Sequence, residues 1–540
     1  MASLRSEPAS YNRYFDASAA ADLVSLLTQA RLVRIDRTTD TVEPALAESW
    51  EASPDGLLLT LRLRRDVRFS DGAPFTAGDV LFSFAVAYDA EGSRLAQTLT
   101  TPGGRLAVDA PDDSTVTVRF PAPFAPGVRI LDSLPILPRH KLEPAFKAGT
   151  IGTAWTPGTP PGEMAGLGPF VLSDHAAGQR MVFTRNPHYW RTAPDGTPLP
   201  YLDRLRVEIV TDQNTEALRL EAGEIDMMSN GDIRPDDYAR FKRLADAGRL
   251  QLVDAGVGLD PNFLWFNLAP PEGKAPPRGK DAKPWLRRKE FRQALSHAVD
   301  RQALADTVHL GAAVPIFGPI TPRNETWYSP DVPAYPYDIA RARALLTGAG
   351  LTDRNGDGLL ETAAGAPVRF SLLYQQGHAV RERAVAVLQE AWRPLGVTVD
   401  LVGFDPQGLM GRWLAGDYDS IFHGVQGSST DPAMNLEFWL SSGQSHFWNP
   451  HQKAPATDWE RRIDLLMRDQ VKTTDLGERR RLFAEVQRIF GEELPALYFL
   501  APKVTLALSP RVANATPAPQ IPQVLWKAET LAVAGGAGAR

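Results

Sequence analysis

Cysteine is absent from all 540 residues, which excludes disulfides, thiolate zinc sites, iron–sulfur clusters and a cysteine nucleophile. A chain of this length buries enough core to need no such staples. There is no basic excess either: 58 Lys and Arg stand against 64 Asp and Glu, a net charge of −6 with the nine histidines neutral. Such a balance offers nothing to a phosphate backbone, so no nucleic-acid partner is expected. No run approaches the length of apolar chain that spans a bilayer as a helix. The first residues, Met1-Ala2-Ser3-Leu4-Arg5-Ser6-Glu7-Pro8, carry charge where a signal peptide has its apolar segment. That leaves a cytoplasmic protein, or an exported one whose signal has been removed.

Hydrophobic residues at 43% and charged residues at 23% are those of a folded globule, and the length corresponds to roughly three to four domain equivalents. The 43 glycines and 45 prolines fall between apolar runs, as turns and long connections do. Leu57 to Arg64 follows the Asp55-Gly56 turn signal and alternates from Leu59, predicting a strand; Ser114 to Phe120 does the same. Thr76 and Asp79 predict the start of a helix. Further strands are expected at Phe170 to Leu172, Met181 to Arg185, Leu205 to Val210 and near Val368 to Leu373. Helices are expected at Asn214 to Ala222, Glu290 to Leu304, Ile339 to Thr347, Val380 to Trp392, Asp458 to Thr473 and Leu476 to Glu492. Trp155 to Gly168 separates two portions, and Pro270 to Pro284 reads as a surface excursion. Mixed strands and helices without a repeat predict α/β or α+β lobes.

Catalytic signatures fail: there is no Gly-x-Ser-x-Gly elbow, no Walker loop and no His-Glu-x-x-His helix. His446 and His451 lie in a loop-like stretch and read as ordinary polar side chains. Asp353-Arg354-Asn355-Gly356-Asp357-Gly358-Leu359-Leu360-Glu361 places oxygens as a calcium loop does, but Ala364 stands where the final chelator belongs. A polar helix-to-strand turn is the expected reading, with a calcium site at Asp353, Asn355 and Asp357 as the alternative. No cofactor is expected. Tryptophans recur beside polar residues, at Trp265, Trp327, Trp413, Trp439, Trp448 and Trp459, and two or three of them are expected to line a ligand cleft.

Several ordered motifs carry a family resemblance across almost the whole chain. They include Glu43 to Trp50, Phe69 to Val80, Gly168-Pro169-Phe170, Asn186 to Trp190, Gly223-Glu224-Ile225-Asp226, Phe266-Asn267-Leu268, Phe291 to Arg301, Gly416 to Asp419, Asp431-Pro432 and Glu493 to Leu497. Together they resemble the family 5 extracellular solute-binding proteins, the peptide-binding subunits of ABC importers. Most of these residues are turn formers and caps, so they are expected to hold the scaffold.

The resemblance implies an α/β, two-lobed clamp of the periplasmic-binding-protein kind (type II, large class). Its first lobe would comprise residues 1–42, 167–258 and 503–540, with 43–166 as an inserted subdomain, and its second lobe 259–502. It implies a monomeric receptor at the periplasm or cell surface that hands a peptide or other small polar solute to membrane permease subunits, with no catalysis. The stretch ahead of Asp431-Pro432 would line the cleft, and the ligand-binding residues expected are Trp265, His423, Val425, Gln426, Ser428 and Trp439. Peptide binders of this family carry an Asp where Ser428 stands, to pair with a peptide's ammonium. An oligosaccharide or another polar solute is therefore the rival ligand, and a hydrolase the more distant alternative.

Overall fold

The computed structural model describes residues 1–270, 283–424, 430–536 and 538–539. Most of the expected excursion at Pro270 to Pro284 lies outside the described residues, as do Val425, Gln426 and Ser428. The chain divides into two compact units, Met1–Gly256 with Val504–Arg540, and Val257–Lys503.

The first unit is organised on a mainly antiparallel sheet in the order Phe170–Ala176, Arg180–Arg185, Arg204–Ile209, Ala2–Leu4, Met227–Asp232, Leu500–Leu508 and Gln251–Val257. Ala2–Leu4 runs parallel to both its neighbours. Leu506 and Leu508, from the far end of the sequence, pair with Asp232 and Met227. A second antiparallel sheet orders Ala47–Ala52, Leu58–Leu63, Thr115–Arg119 and Ala107–Asp112. Leu59, Leu61 and Leu63 are buried while Arg62 is exposed, the alternation that predicted this strand. Helix Ala77–Asp89 begins where the sequence places it, with the Asp79 carboxylate accepting from the Thr76 N–H at 2.9 Å. The same carboxylate takes the Arg139 N–H at 3.0 Å, tying the helix start to a distant turn. Gly168 shows why its motif needs glycine: an added Cβ would lie 2.5 Å from the Thr28 carbonyl carbon.

The second unit carries a five-stranded sheet in the order Thr398–Phe404, Arg369–Gln375, Ser420–Gly424, Asn262–Phe266, Ala496–Tyr498. The first three strands are parallel, and Asn262–Phe266 is antiparallel to both its neighbours. Helix Ala379–Trp392 connects the first two strands in sequence, and helix Pro406–Ala415 leads to the third. Alternation along Asn262–Phe266 supplies both faces: Leu264 and Phe266 join a core with Phe291, Phe370 and Trp392, whereas Phe263 and Trp265 join one with Phe447, Trp448 and Phe483.

One expected element is divided. Glu290 to Leu304 is two helices, Lys289–His297 and Arg301–His309. Asp300 breaks the run because its carboxylate accepts from the N–H groups of Gln302 and Ala303, both at 3.0 Å, starting a new helix. Arg301 then turns inward and donates to the carbonyls of Ser296, Ile316, Tyr335 and Tyr498.

Candidate ligand-binding site

Strand order reverses within the second unit's sheet. The chain leaves Arg369–Gln375, adds Thr398–Phe404 on one side, and returns to add Ser420–Gly424 on the other. In open α/β sheets, ligands settle beyond the carboxyl ends of the strands at such a reversal. Here those ends are Gln375 and His423-Gly424, and Asn262 lies beside them because it pairs with Gly424 across the antiparallel step.

Arg381 enters this point from the first turn of helix Ala379–Trp392. Its Nε–H donates to Asn262 Oδ1 at 2.9 Å, and Nη1 donates to Gln375 Oε1 at 2.5 Å and to His423 Nε2 at 2.9 Å. All three acceptors are neutral. Among the described residues, Nη2 has no acceptor and no carboxylate pairs with the guanidinium. Burial pushes the Arg381 pKa down to about 10, which leaves it charged at neutral pH. Its position at the positive end of a helix adds to the electrostatic cost, since cations are favoured at the opposite end. Glu382, the acid of that turn, spends an oxygen on the Gly377 N–H at 2.8 Å.

The histidines around Arg381 are held neutral. Arginine can only donate, so His423 Nε2 accepts and its proton resides on Nδ1, which donates to the Gly424 carbonyl at 2.5 Å. Burial, reinforced by the Arg381 charge, pushes the His423 pKa down to about 4. The same two causes lower that of His378, whose Nδ1 accepts from the Arg381 N–H at 3.4 Å. Gly424 is fitted to this contact: a Cβ there would lie 2.8 Å from Asn262 Oδ1 and 3.4 Å from Arg381 Nη2.

Of the residues expected from sequence, His423 therefore stands at this point. Trp265 and Trp439 stand elsewhere: they are 0% and 4% exposed, inside the second unit's aromatic core. Trp265 packs against Phe263, Trp413 and Phe447 at ring separations of 5.2, 5.3 and 5.1 Å. Their polar sequence neighbours suggested a wet cleft, but Trp265 points from its strand, and Trp439 from the short helix Leu436–Trp439, into that core. Trp327 and Trp448 are buried in the same core. The half-buried Trp413 ring is the one that approaches His423, at 6.5 Å. Arg381, Asn262 and Gln375 were not singled out in the sequence. The available signal was a basic residue in a helix's first turn, where an acid is favoured.

The Asp353 to Glu361 loop folds on itself. Asp353 accepts from the N–H groups of Gly356 and Gly358 at 2.7 and 2.9 Å, and Glu361 from that of Arg354 at 2.8 Å. Carboxylate oxygens of Asp353, Asp357 and Glu361 lie within 4.8 Å of one another. The Asn355 amide donates to Asp357 at 3.0 Å.

Comparison with known proteins defines the class. The family model for bacterial extracellular solute-binding proteins, family 5, matches residues 41–447. A probable ABC transporter-binding protein of Deinococcus radiodurans is 25% identical over 532 residues, covering 94% of this chain and 87% of that protein. The di/tripeptide-binding protein 1 of Pseudomonas aeruginosa is 28% identical over 506 residues, with 91% and 85% covered. The oligopeptide-binding protein AppA of Bacillus subtilis, solved with a nonapeptide, shares the fold at a TM-score of 0.73 and 23% identity, with 98% of each chain covered. The chain belongs to the family 5 extracellular solute-binding proteins, and its role is that of a solute-binding protein of an ABC importer. The family is extracytoplasmic, and no helix among the described residues is long and apolar enough to cross a membrane.

Proposed function

We propose that this protein captures a short peptide, or a solute with a comparable carboxylate, and delivers it to its membrane permease, with Arg381 as the group that receives the carboxylate. The observation that carries this reading is the guanidinium at the strand-order reversal, held by Asn262, Gln375 and His423 while Nη2 lacks an acceptor among the described residues. A half-buried cation with no counterion among the described residues is costly, and a ligand carboxylate supplies one through charge-assisted hydrogen bonds. A peptide ligand also accords with the di/tripeptide-binding relative. The same charge disfavours a neutral oligosaccharide, which would leave it unpaired.

Gln426 and Ser428 follow Gly424 closely in the chain, and their hydrogen-bonding side chains suit the polar remainder of such a ligand. The protein acts by binding without turnover: both nitrogens of His423 are engaged, leaving it no lone pair for a general base. It works outside the cytoplasmic membrane as a monomer, without a nucleic-acid partner.

Mass spectrometry of the ligand retained after mild purification, with calorimetry on Arg381→Gln, tests the reading. The expected ligand carries a carboxylate, and Arg381→Gln binds it at least about tenfold more weakly, the loss of about 1.4 kcal/mol. The melting temperature of the unliganded variant is expected to hold or rise, because an uncompensated cation is removed from a helix start. A neutral retained ligand, or unchanged affinity in the variant, refutes the assignment.

A further inference from the structure

We infer that Asn262 is a positioning residue that sets the charge preference of this site: it aims the Arg381 guanidinium while leaving its charge unspent. This rests on the reading of Arg381 as the carboxylate receptor. Arginine presents five N–H groups in a rigid planar fork, so fixing three of them fixes the direction of the other two. Nε–H and both hydrogens of Nη1 are committed, and Nη2 is left without an acceptor among the described residues. Asn262 holds the Nε side from a neighbouring strand, opposite Gly424.

Asparagine is a telling choice at this position. An aspartate has the same shape, would accept the same 2.9 Å hydrogen bond, and would relieve the cost of the half-buried cation. It would also neutralise the site. Stability alone thus favours aspartate, whereas anion capture requires a neutral acceptor. Gly424 enforces the arrangement, since a Cβ there would press on Asn262 Oδ1 and approach Nη2.

The test compares wild type, Asn262→Asp, Asn262→Ser and Arg381→Gln by calorimetry with trialanine and its C-terminal amide, and follows the His423 imidazole by NMR titration. Wild type is expected to prefer the free carboxylate at least about tenfold, and Asn262→Asp to lose that preference. Asn262→Ser keeps a neutral acceptor and retains a preference with weaker binding. The imidazole supplies a readout independent of any ligand. A new carboxylate beside Arg381 offsets the cation that disfavours imidazolium, so the His423 pKa is expected to rise by about one unit in Asn262→Asp and to stay put in Asn262→Ser.

If wild type and Asn262→Asp discriminate the two peptides equally while Arg381→Gln does not, the Asn262 proposal is overturned and the Arg381 reading stands. If wild type binds the peptides alike, or binds neither, the short-peptide reading falls. The imidazole titration then decides on Asn262: no rise in Asn262→Asp, or an equal rise in Asn262→Ser, overturns its role in setting the charge.

Discussion

Single residues in the second unit show burial and charge overriding local preference. His309 ends a helix, where the dipole favours an imidazolium by about 0.3–1 kcal/mol. Burial opposes that, Arg383 and His378 add to it, and together they push the His309 pKa down to about 4. The sign follows directly. The unfolded chain takes up the proton near its ordinary pKa of about 6.5, while the folded chain resists until pH 4. Stability contributed by neutral His309 is therefore present above about pH 6.5, drains as pH falls toward 4, and is gone below that. Urea denaturation at pH 7 and pH 4.5 is expected to show a drop to which His309 contributes up to about 3 kcal/mol. His309→Gln should remove that portion of the slope. Arg381 sits in a comparable conflict, and its helix was anticipated from sequence while its role was not. The residues that give it meaning, Asn262 and His423, are 119 and 42 positions away, and strand pairing brings them together.

Elements were legible where one face meets water. Leu58–Leu63 and the helices near the end of the second unit show the periods of half-buried structure. Trp265 was expected in the cleft, but Phe263, Leu264, Trp265 and Phe266 are all buried, and a strand buried on both faces has no alternation to read. Trp439, on the short helix Leu436–Trp439, is buried by packing from distant segments, which no local pattern records. Asp431 illustrates a motif residue with a structural task. Its carboxylate receives both Nη atoms of Arg479, at 3.0 and 2.7 Å, and accepts from the Ala433 N–H at 2.9 Å. Both partners are at most 6% exposed, so removing one strands a buried charge. Asp431→Ala is expected to cost about 3–5 kcal/mol of stability in chemical denaturation. A smaller loss than about 1 kcal/mol would show that the pair is not the anchor of this turn.

At the scale of the whole molecule, the α/β character and the family could be read from motifs spread along the chain, because turns and caps leave local marks. The units differ in continuity: Val257–Lys503 is one segment, whereas Met1–Gly256 is joined by Val504–Arg540. Residues 257–503 produced alone are therefore expected to melt cooperatively, by circular dichroism and calorimetry. Residues 1–256 produced alone should lack a cooperative transition and regain one when joined by a short linker to 504–540. A cooperative melt of 1–256 by itself would contradict this.

The strand ending at Leu508 lies between Met227–Asp232 and Gln251–Val257, inside the sheet rather than at its edge. Until that strand is in place, the first unit's sheet stays open along the two strands that flank it. A chain clipped behind Lys503 would retain every residue argued here to hold the ligand, yet lack the strand that closes the first sheet. Closure of the first sheet is thus conditional on a chain that reaches Leu508, and a product clipped behind Lys503 is expected to be digested by added protease faster than the whole chain.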